Sequence, residues 1–536
     1  MIEKIVLLSG PIGCGKSTLA ERLSSRFNMS ILKTRILLGR RVGASLSGDR
    51  KALQAAGERL DKTTGGVWVL DELQKWLQEH RGVSAVGIDS VRIKGQIEAL
   101  RKAFGPKVSH VHLTAPQQEL EKRYKRRHRL GKESTRTYTE ARDDPTEQQI
   151  ESLANTADVV IDTKRCTPED VLVRVTSHLN VRQMDRRGYV DVLIGGQYGS
   201  EGKGHVVAYL SPEYDILVRV GGPNAGHNVY EEPEAYIHHQ LPAGTRRSQA
   251  RLLIGPGATL RVDKLLKETA ECGVEAERLY IDANTMIISE DDIRAEEQGV
   301  RAIGSTGQGV GAAMARRIMG RFDSHPPLLA QDTPELHPYI CSIVDVLDEA
   351  YSNGNRILLE GTQGTGLSLY HGFYPHVTSR DTTVAGCLAE AGIAWNKVRR
   401  VIMVCRTYPI RVQNPPNGTS GFLSQEISWP EISRRSKISL PALLKLETTS
   451  TTHRERRVGE FDWGLLRKSA ILNGPTDIAL TFTDYLSPKN SQAKRFDQLH
   501  LDTINFIQEV ERVTGAPVSL ISTRFNYRSI IDRRRW

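Results

Sequence analysis

The segment Gly10-Pro-Ile-Gly-Cys-Gly15-Lys16-Ser17-Thr18 lies between the apolar run Ile5-Val-Leu-Leu8 and an amphipathic stretch at 16–28. The order strand, G-x-x-x-x-G-K-[ST], helix leaves the chain little local choice. Gly10, Gly13 and Gly15 let consecutive N–H groups turn inward, and the helix N-terminus adds positive potential. Lys16 is placed to reach terminal phosphate oxygens, Ser17 can ligate Mg²⁺, and Thr18 joins the nucleotide-binding set. This segment is read as a nucleotide-phosphate site. Strand-like runs at 5–8, 85–88, 108–113 and 159–161 alternate with helical stretches at 16–28, 93–104 and 115–128. That alternation predicts an α/β domain on a mainly parallel sheet over residues 1–183.

Two acidic residues compete for the metal side of this site. Asp71 follows Val67-Trp-Val-Leu70, but apolar residues at 67, 70, 73, 76 and 77 have helical spacing. Asp89 ends the short run Ala85-Val-Gly-Ile88 and is preferred. Arg123 and Arg127 belong to a basic run at 123–129 ahead of the polar stretch 131–144. That run reads either as a solvated helix face or as a cationic lid over a transferring phosphoryl group. With the preceding motif, residues 1–180 resemble nucleoside-monophosphate kinases, so a P-loop (d)NMP-kinase-like activity is implied. The phosphate acceptor is left open.

Residues 177–187 are polar and lack apolar periodicity, which places a linker there. Val190-Asp-Val-Leu-Ile194 then opens a second glycine loop, Gly195-Gly-Gln-Tyr-Gly199-Ser200-Glu-Gly202-Lys203-Gly204, whose spacing differs from the first. A single large α/β domain over 188–536 is the economical reading. The chain carries 73 Lys plus Arg against 63 Asp plus Glu, a surplus of ten positive charges that suits anionic ligands. Aromatic residues make up only 6%, which argues against nucleic acid as the partner. No apolar run approaches the ~18 residues of a membrane helix. Six scattered cysteines without a CxxC pair suggest a reduced, cytoplasmic thiol set.

Further motifs follow the second loop. They are Gly221-Gly-Pro-Asn224-Ala-Gly226-His227, Ser305-Thr306-Gly-Gln-Gly309, Glu360-Gly-Thr-Gln363-Gly364, Tyr374-Pro-His-Val-Thr378 and Thr451-Thr452-His-Arg454-Glu-Arg456-Arg457. In this order the segments resemble the adenylosuccinate synthetase family over most of 188–536. The resemblance implies phosphorylation of O6 of a 6-oxopurine nucleotide, followed by displacement of that phosphate at C6 by L-aspartate. It implies Mg²⁺, with ATP or GTP as phosphate donor, and a homodimer. It also implies roles for individual residues. Gly199, Gly202, Lys203 and Gly204 would contact the donor phosphates. His227 would stabilise charge developing on O6, and the Gly226 carbonyl would help ligate the metal. Asn224, Ser305, Thr306, Gln363 and Thr378 would seat the purine nucleotide, and Arg316 or Arg317 its 5′-phosphate, across a dimer interface as in the family. Thr451, Thr452, Arg454 and Arg456 would grip aspartate.

Two departures from the family matter. The usual Gly-Asp-Glu-Gly-Lys-Gly has become Gly199-Ser200-Glu-Gly-Lys-Gly. The family's Asp removes the purine N1 proton, a task for which a Ser hydroxyl is poorly suited. Either the domain has lost turnover and senses nucleotides, or its substrate has changed. A shorter side chain leaves room for the 2-amino group of guanine, and Ser at this position resembles the phage branch that uses dGMP on the way to 2-aminoadenine nucleotides. A (d)GMP-type substrate is therefore favoured, with IMP the close rival. The second departure is Thr481-Phe-Thr-Asp484 in place of Thr-Lys-x-Asp. Asp484 retains the means to read guanine, so GTP is compatible and ATP stays open.

Overall fold

The computed structural model describes the chain except residues 1, 28, 43–49, 130–136, 144, 165, 180–188, 232–233, 300–303, 305, 323–326, 448–455 and 536. The chain divides into two compact units, Met1–Met184 and Asp185–Trp536.

In the first unit five parallel strands run edge to edge as Ser30–Lys33, Ala85–Asp89, Lys4–Ser9, Val108–Thr114 and Val159–Asp162. Val6, Leu8, Val111 and Leu113 pack on one face, Ile5, Leu7, Val86 and Ile88 on the other. A strand apolar on both sides must be covered on both, which is why a helix follows nearly every strand. The helices Lys16–Phe27, Lys94–Phe104 and Gln117–Arg129 lie where the periodicity places them. The edge strand Ser30–Lys33 is an addition, too short to stand out in the sequence.

The second unit is built on ten strands. From edge to edge they are Ile340–Cys341, Leu279–Asp282, Arg251–Ile254, Ile216–Arg219, Ile357–Glu360, Val190–Gly195, Val398–Arg406, Asp477–Thr481, Val518–Ser522 and Ile530–Asp532. All pair in parallel except the last, which closes the sheet antiparallel to Val518–Ser522. The faces alternate residue by residue. Val192, Ile194, Val218, Leu359 and Met403 pack in one core layer, Leu193, Leu217, Leu358 and Val404 in the other. The chain builds outward from Val190–Gly195 in one direction, returns with Ile357–Glu360 beside it, and then extends the other way. The carboxyl ends beside such a reversal are where open α/β sheets bind ligands. Here those ends are Gly195, Arg219, Glu360, Arg406 and Thr481. No helix among the described residues is long and apolar enough to cross a membrane.

Candidate active site

Each of those five strand ends opens a loop that carries sequence-selected residues. The first runs from Gly196 to Gly202, where the helix Lys203–Leu210 begins. Its shape is set by Glu201, which is wholly buried. Its carboxylate accepts hydrogen bonds from the backbone N–H of Gln197 at 3.1 Å and Gly199 at 2.8 Å, and pairs with Lys203 Nζ at 2.5 Å. Gly364 is glycine because a Cβ there would lie 2.3 Å from that carboxylate. Ser200 is exposed with φ 55°, a left-handed conformation in which Asp and Asn are the best-tolerated non-glycine residues. Its carbonyl accepts from Arg406 Nη1 at 3.2 Å.

The second loop brings in His227. A Cβ at Gly204 would lie 3.2 Å from the His227 Cβ, so this glycine allows the helix starting at Lys203 to approach the histidine. His227 Nδ1 donates to Glu360, and Glu360 also accepts from Arg219 Nη1 at 2.9 Å and the Ala243 N–H at 2.7 Å. Burial, and next the Arg219 charge, drive the His227 pKa well below the ordinary imidazole value. The ring is therefore neutral near pH 7, and with Nδ1–H turned to Glu360 its Nε2 is an acceptor. Burial alone would raise Glu360, but Arg219 and the His227 hydrogen bond outweigh it and hold the carboxylate ionised. Arg219 Nη2 also donates to the Ala225 carbonyl at 2.9 Å, fixing the backbone just ahead of Gly226 and His227.

Gln363 Nε2 donates to Asn224 Oδ1 at 3.1 Å, joining the second and third loops. Thr378 lies close by through its N–H, which donates to the Leu367 carbonyl at 2.8 Å. Thr306 sits ahead of the helix Val310–Met319, and its carbonyl accepts from Gln308. Arg316 in that helix pairs with Asp292 at 2.7 Å, and Arg317 Nη1 donates to the Pro256 carbonyl at 2.9 Å. Neither contact belongs to the cluster around Asn224 and Gln363. Arg456 pairs with buried Glu447 at 3.1 Å. Asp484 is buried at 8% exposure, and its Oδ1 has no hydrogen-bond partner among the described residues. Ser305, Thr451, Thr452 and Arg454 lie outside the described residues.

In the first unit Gly10, Gly13 and Gly15 all have positive φ, and Lys16 Nζ donates to the Gly10 carbonyl at 2.6 Å and the Pro11 carbonyl at 3.0 Å. Ser17 and Thr18 are exposed on the first turn of the helix Lys16–Phe27. Asp89 ends its strand directly beside Leu8 and is buried. Arg123 is bound to Glu119 and Thr163, and Arg127 follows one turn later in the same helix. Beneath the loop, Ser9 Oγ lies 2.6 Å from His110 Nε2 and 2.8 Å from His112 Nδ1. Burial lowers both imidazoles to about 4, so the floor of the loop is uncharged. Ser17, Asp89, the Gly226 carbonyl and the Ser200 hydroxyl are oxygen donors of the kind that Mg²⁺ takes.

Glu360 and Arg219 were given no role by the motif reading, although each is a lone charge ending an apolar strand, Ile-Leu-Leu-Glu and Ile-Leu-Val-Arg. A charge buried at the carboxyl end of a core strand is a usable signal.

A glycine loop capping a helix, beside a histidine–carboxylate pair on the carboxyl edge of a parallel sheet, is an arrangement suited to phosphate-bearing ligands in an α/β protein. The family model for adenylosuccinate synthetase matches residues 192–324 and 327–491, and the chain belongs to that family. An AAA domain model matches residues 6–143. The adenylosuccinate synthetase of Pyrococcus horikoshii is 37% identical over 352 residues, 64% of this chain and 98% of that protein. That of Methanocaldococcus jannaschii is also 37% identical, covering 64% and 96%. Among solved structures, fully ligated adenylosuccinate synthetase from Plasmodium falciparum shares the fold at TM-score 0.58 and 21% identity, covering 65% of this chain and all of that one. The succinoaminodeoxyadenylate synthetase of cyanophage S-2L, solved with dGMP and with dATP as an energy donor, aligns at TM-score 0.53 and 26% identity, covering 65% and 96%.

Proposed function

We propose that residues 188–536 join L-aspartate to C6 of a guanine nucleotide, dGMP or GMP, in preference to IMP, with a nucleoside triphosphate as phosphate donor. The observation that carries this reading is Ser200, an exposed small residue in a loop whose other pairings are all in place. A site drifting out of use has no reason to keep Lys203 on Glu201, His227 on Glu360 and Gln363 on Asn224. The cyanophage relative solved with dGMP supports the same choice.

In this reading Lys203 and the loop N–H groups hold the donor phosphates while O6 attacks the terminal phosphorus, the N1 proton passes to water and the nucleoside diphosphate leaves. Anionic phosphate beside His227 raises the affinity of the ring for a second proton, and the ionised Glu360 stabilises the imidazolium that then faces O6. The Gly226 carbonyl and the Ser200 side would hold Mg²⁺, which would supply neutralisation of phosphate charge. The aspartate amine next displaces the 6-phosphate, and Arg456 receives one of its carboxylates. Asp484, when ionised, accepts from the N1–H and 2-amino group of a guanine donor. A matrix of IMP, GMP and dGMP against ATP and GTP, each with aspartate and read by mass of the adduct, tests the assignment. Adduct from IMP alone would overturn it.

Ser200→Asp is compatible with the left-handed backbone at this position and returns a carboxylate to the N1 edge. We expect preference, as the ratio of kcat/KM values, to move at least tenfold toward IMP. Equal or better dGMP turnover in that variant would refute the steric argument.

Residues 1–183 are proposed to act as a nucleoside-monophosphate kinase-like unit, using Lys16, Ser17, Thr18 and Asp89 with Arg123 and Arg127 over the transferring group. In the full chain without aspartate, Lys16→Ala should lower ATP-dependent phosphorylation of nucleoside monophosphates by about 10²-fold or more. Ligation should be untouched. Absence of such phosphorylation in the parent chain would remove the kinase half. A cytoplasmic homodimer, tested by sedimentation, completes the proposal.

A further inference from the structure

One buried carboxylate links three segments of the second unit. Glu447, 2% exposed, follows the helix Leu440–Leu446. Its Oε1 accepts from Arg406 Nη2 at 2.7 Å and from the Tyr485 hydroxyl at 2.8 Å. Its Oε2 accepts from Arg456 Nη1 at 3.1 Å. Arg406 is wholly buried, spreads over the Phe482 ring at 4.1 Å, and passes its other nitrogen to the Ser200 carbonyl. Glu447 therefore touches, directly or through one side chain, the loop of Ser200, the turn bearing Asp484, and Arg456.

The charges explain why this carboxylate matters. Two guanidinium groups share one carboxylate away from water, and without it each would be left buried beside a like charge. Burial would raise the Glu447 pKa, but Arg406 and Arg456 reverse the shift and keep it ionised. The cluster still carries one cation more than it has anions. Arg456 reaches Glu447 through one nitrogen, Nη1, so the carboxylate fixes one arm of the guanidinium fork.

We infer that Glu447 is a positioning residue for ligation: it orients Arg456 toward the amino-acid carboxylate and, through Arg406, sets the backbone at Ser200. This rests on the reading that Arg456 receives aspartate. A structural role alone would lower the active fraction equally for every substrate. A positioning role should split the kinetic constants.

The test is steady-state kinetics on the full chain for Glu447→Gln and Arg456→Lys, with aspartate, purine nucleotide and donor varied separately. Both variants should raise KM for aspartate about tenfold or more, and kcat should fall less. The double variant should add little to either single change, because the two residues act as one unit. If Arg456→Lys raises KM for aspartate and Glu447→Gln leaves it within twofold, the inference on Glu447 fails while the aspartate reading stands. If Arg456→Lys leaves it unchanged, the aspartate reading fails and the inference goes with it. Should Glu447→Gln not fold, Tyr485→Phe removes one hydrogen bond from the same carboxylate. It should raise KM for aspartate about threefold, and no change would overturn the inference.

Discussion

Replacing His227 by Asn is expected to lower the rate of aspartate ligation by about 10²- to 10⁴-fold, the range spanned by removing a positioned acid or base. Asn keeps a hydrogen bond to Glu360 but cannot carry a second proton. Binding of nucleotide, followed by calorimetry, should change little, and the melting temperature should hold. Glu360→Gln should act in the same direction with a smaller loss, about 10- to 100-fold. It should also cost stability, because Arg219 would be left buried without its carboxylate. A His227→Asn variant that ligates within threefold of the parent rate would remove the histidine from the chemistry.

Asp484→Asn should separate stability from function. Burial, reinforced by the like charge of Glu447, raises the Asp484 carboxyl from 3.8 to about 7, with Arg524 and Arg406 opposing. The sign follows from proton counts. Between the unfolded value and the folded one, the native chain holds the proton that the unfolded chain has released. Stability therefore falls as pH rises across that window, costs nothing below it, and reaches its full cost above about pH 7. At about 1.4 kcal/mol per pH unit the cost is about 4 kcal/mol at most. Asp484→Asn removes it, so the ligand-free variant should melt higher than the parent at pH 8 and equally at pH 4. The same change should lower kcat/KM for GTP about 10- to 100-fold, since the amide presents a donor to guanine's own donors. In the parent, GTP use should climb as pH rises through 7. Equal melting at pH 8 would show that the carboxylate is not destabilising, and unchanged GTP use would free it from the donor base.

The phosphate loop was legible because its requirement is local. Gly10, Gly13, Gly15 and Lys16 lie within seven residues, and their backbone geometry repeats what phosphate demands of any chain. The alternation of apolar runs foretold the parallel sheet of the first unit for a similar reason, since both faces of each strand are covered and few other arrangements bury them. What the sequence hid are contacts that topology creates. Glu360 meets His227 across 133 positions, and Arg406 at the end of its strand meets Glu447 at the end of a helix across 41, once the chain has folded. The edge strand Ser30–Lys33 escaped for a different reason, being four residues long with little periodicity. Arg316 has a partner that the motif did not name. In the ligand-free chain this cation pairs with Asp292, an acceptor that periodicity alone does not single out.

The antiparallel strand Ile530–Asp532 acts as a hem on the large sheet. Val518–Ser522, buried along its whole length, would otherwise offer its free main-chain edge to a second molecule. The hem is only three residues long, and side chains outside the sheet fasten it. Arg533 reaches Glu511, and Arg534 binds both Asp532 and Glu213. Trimming the chain ahead of Ile530 would remove no residue of the candidate site, yet it would bare a sticky border. Arg533 and Arg534 thus hold that border closed through ion pairs that lie apart from the candidate site.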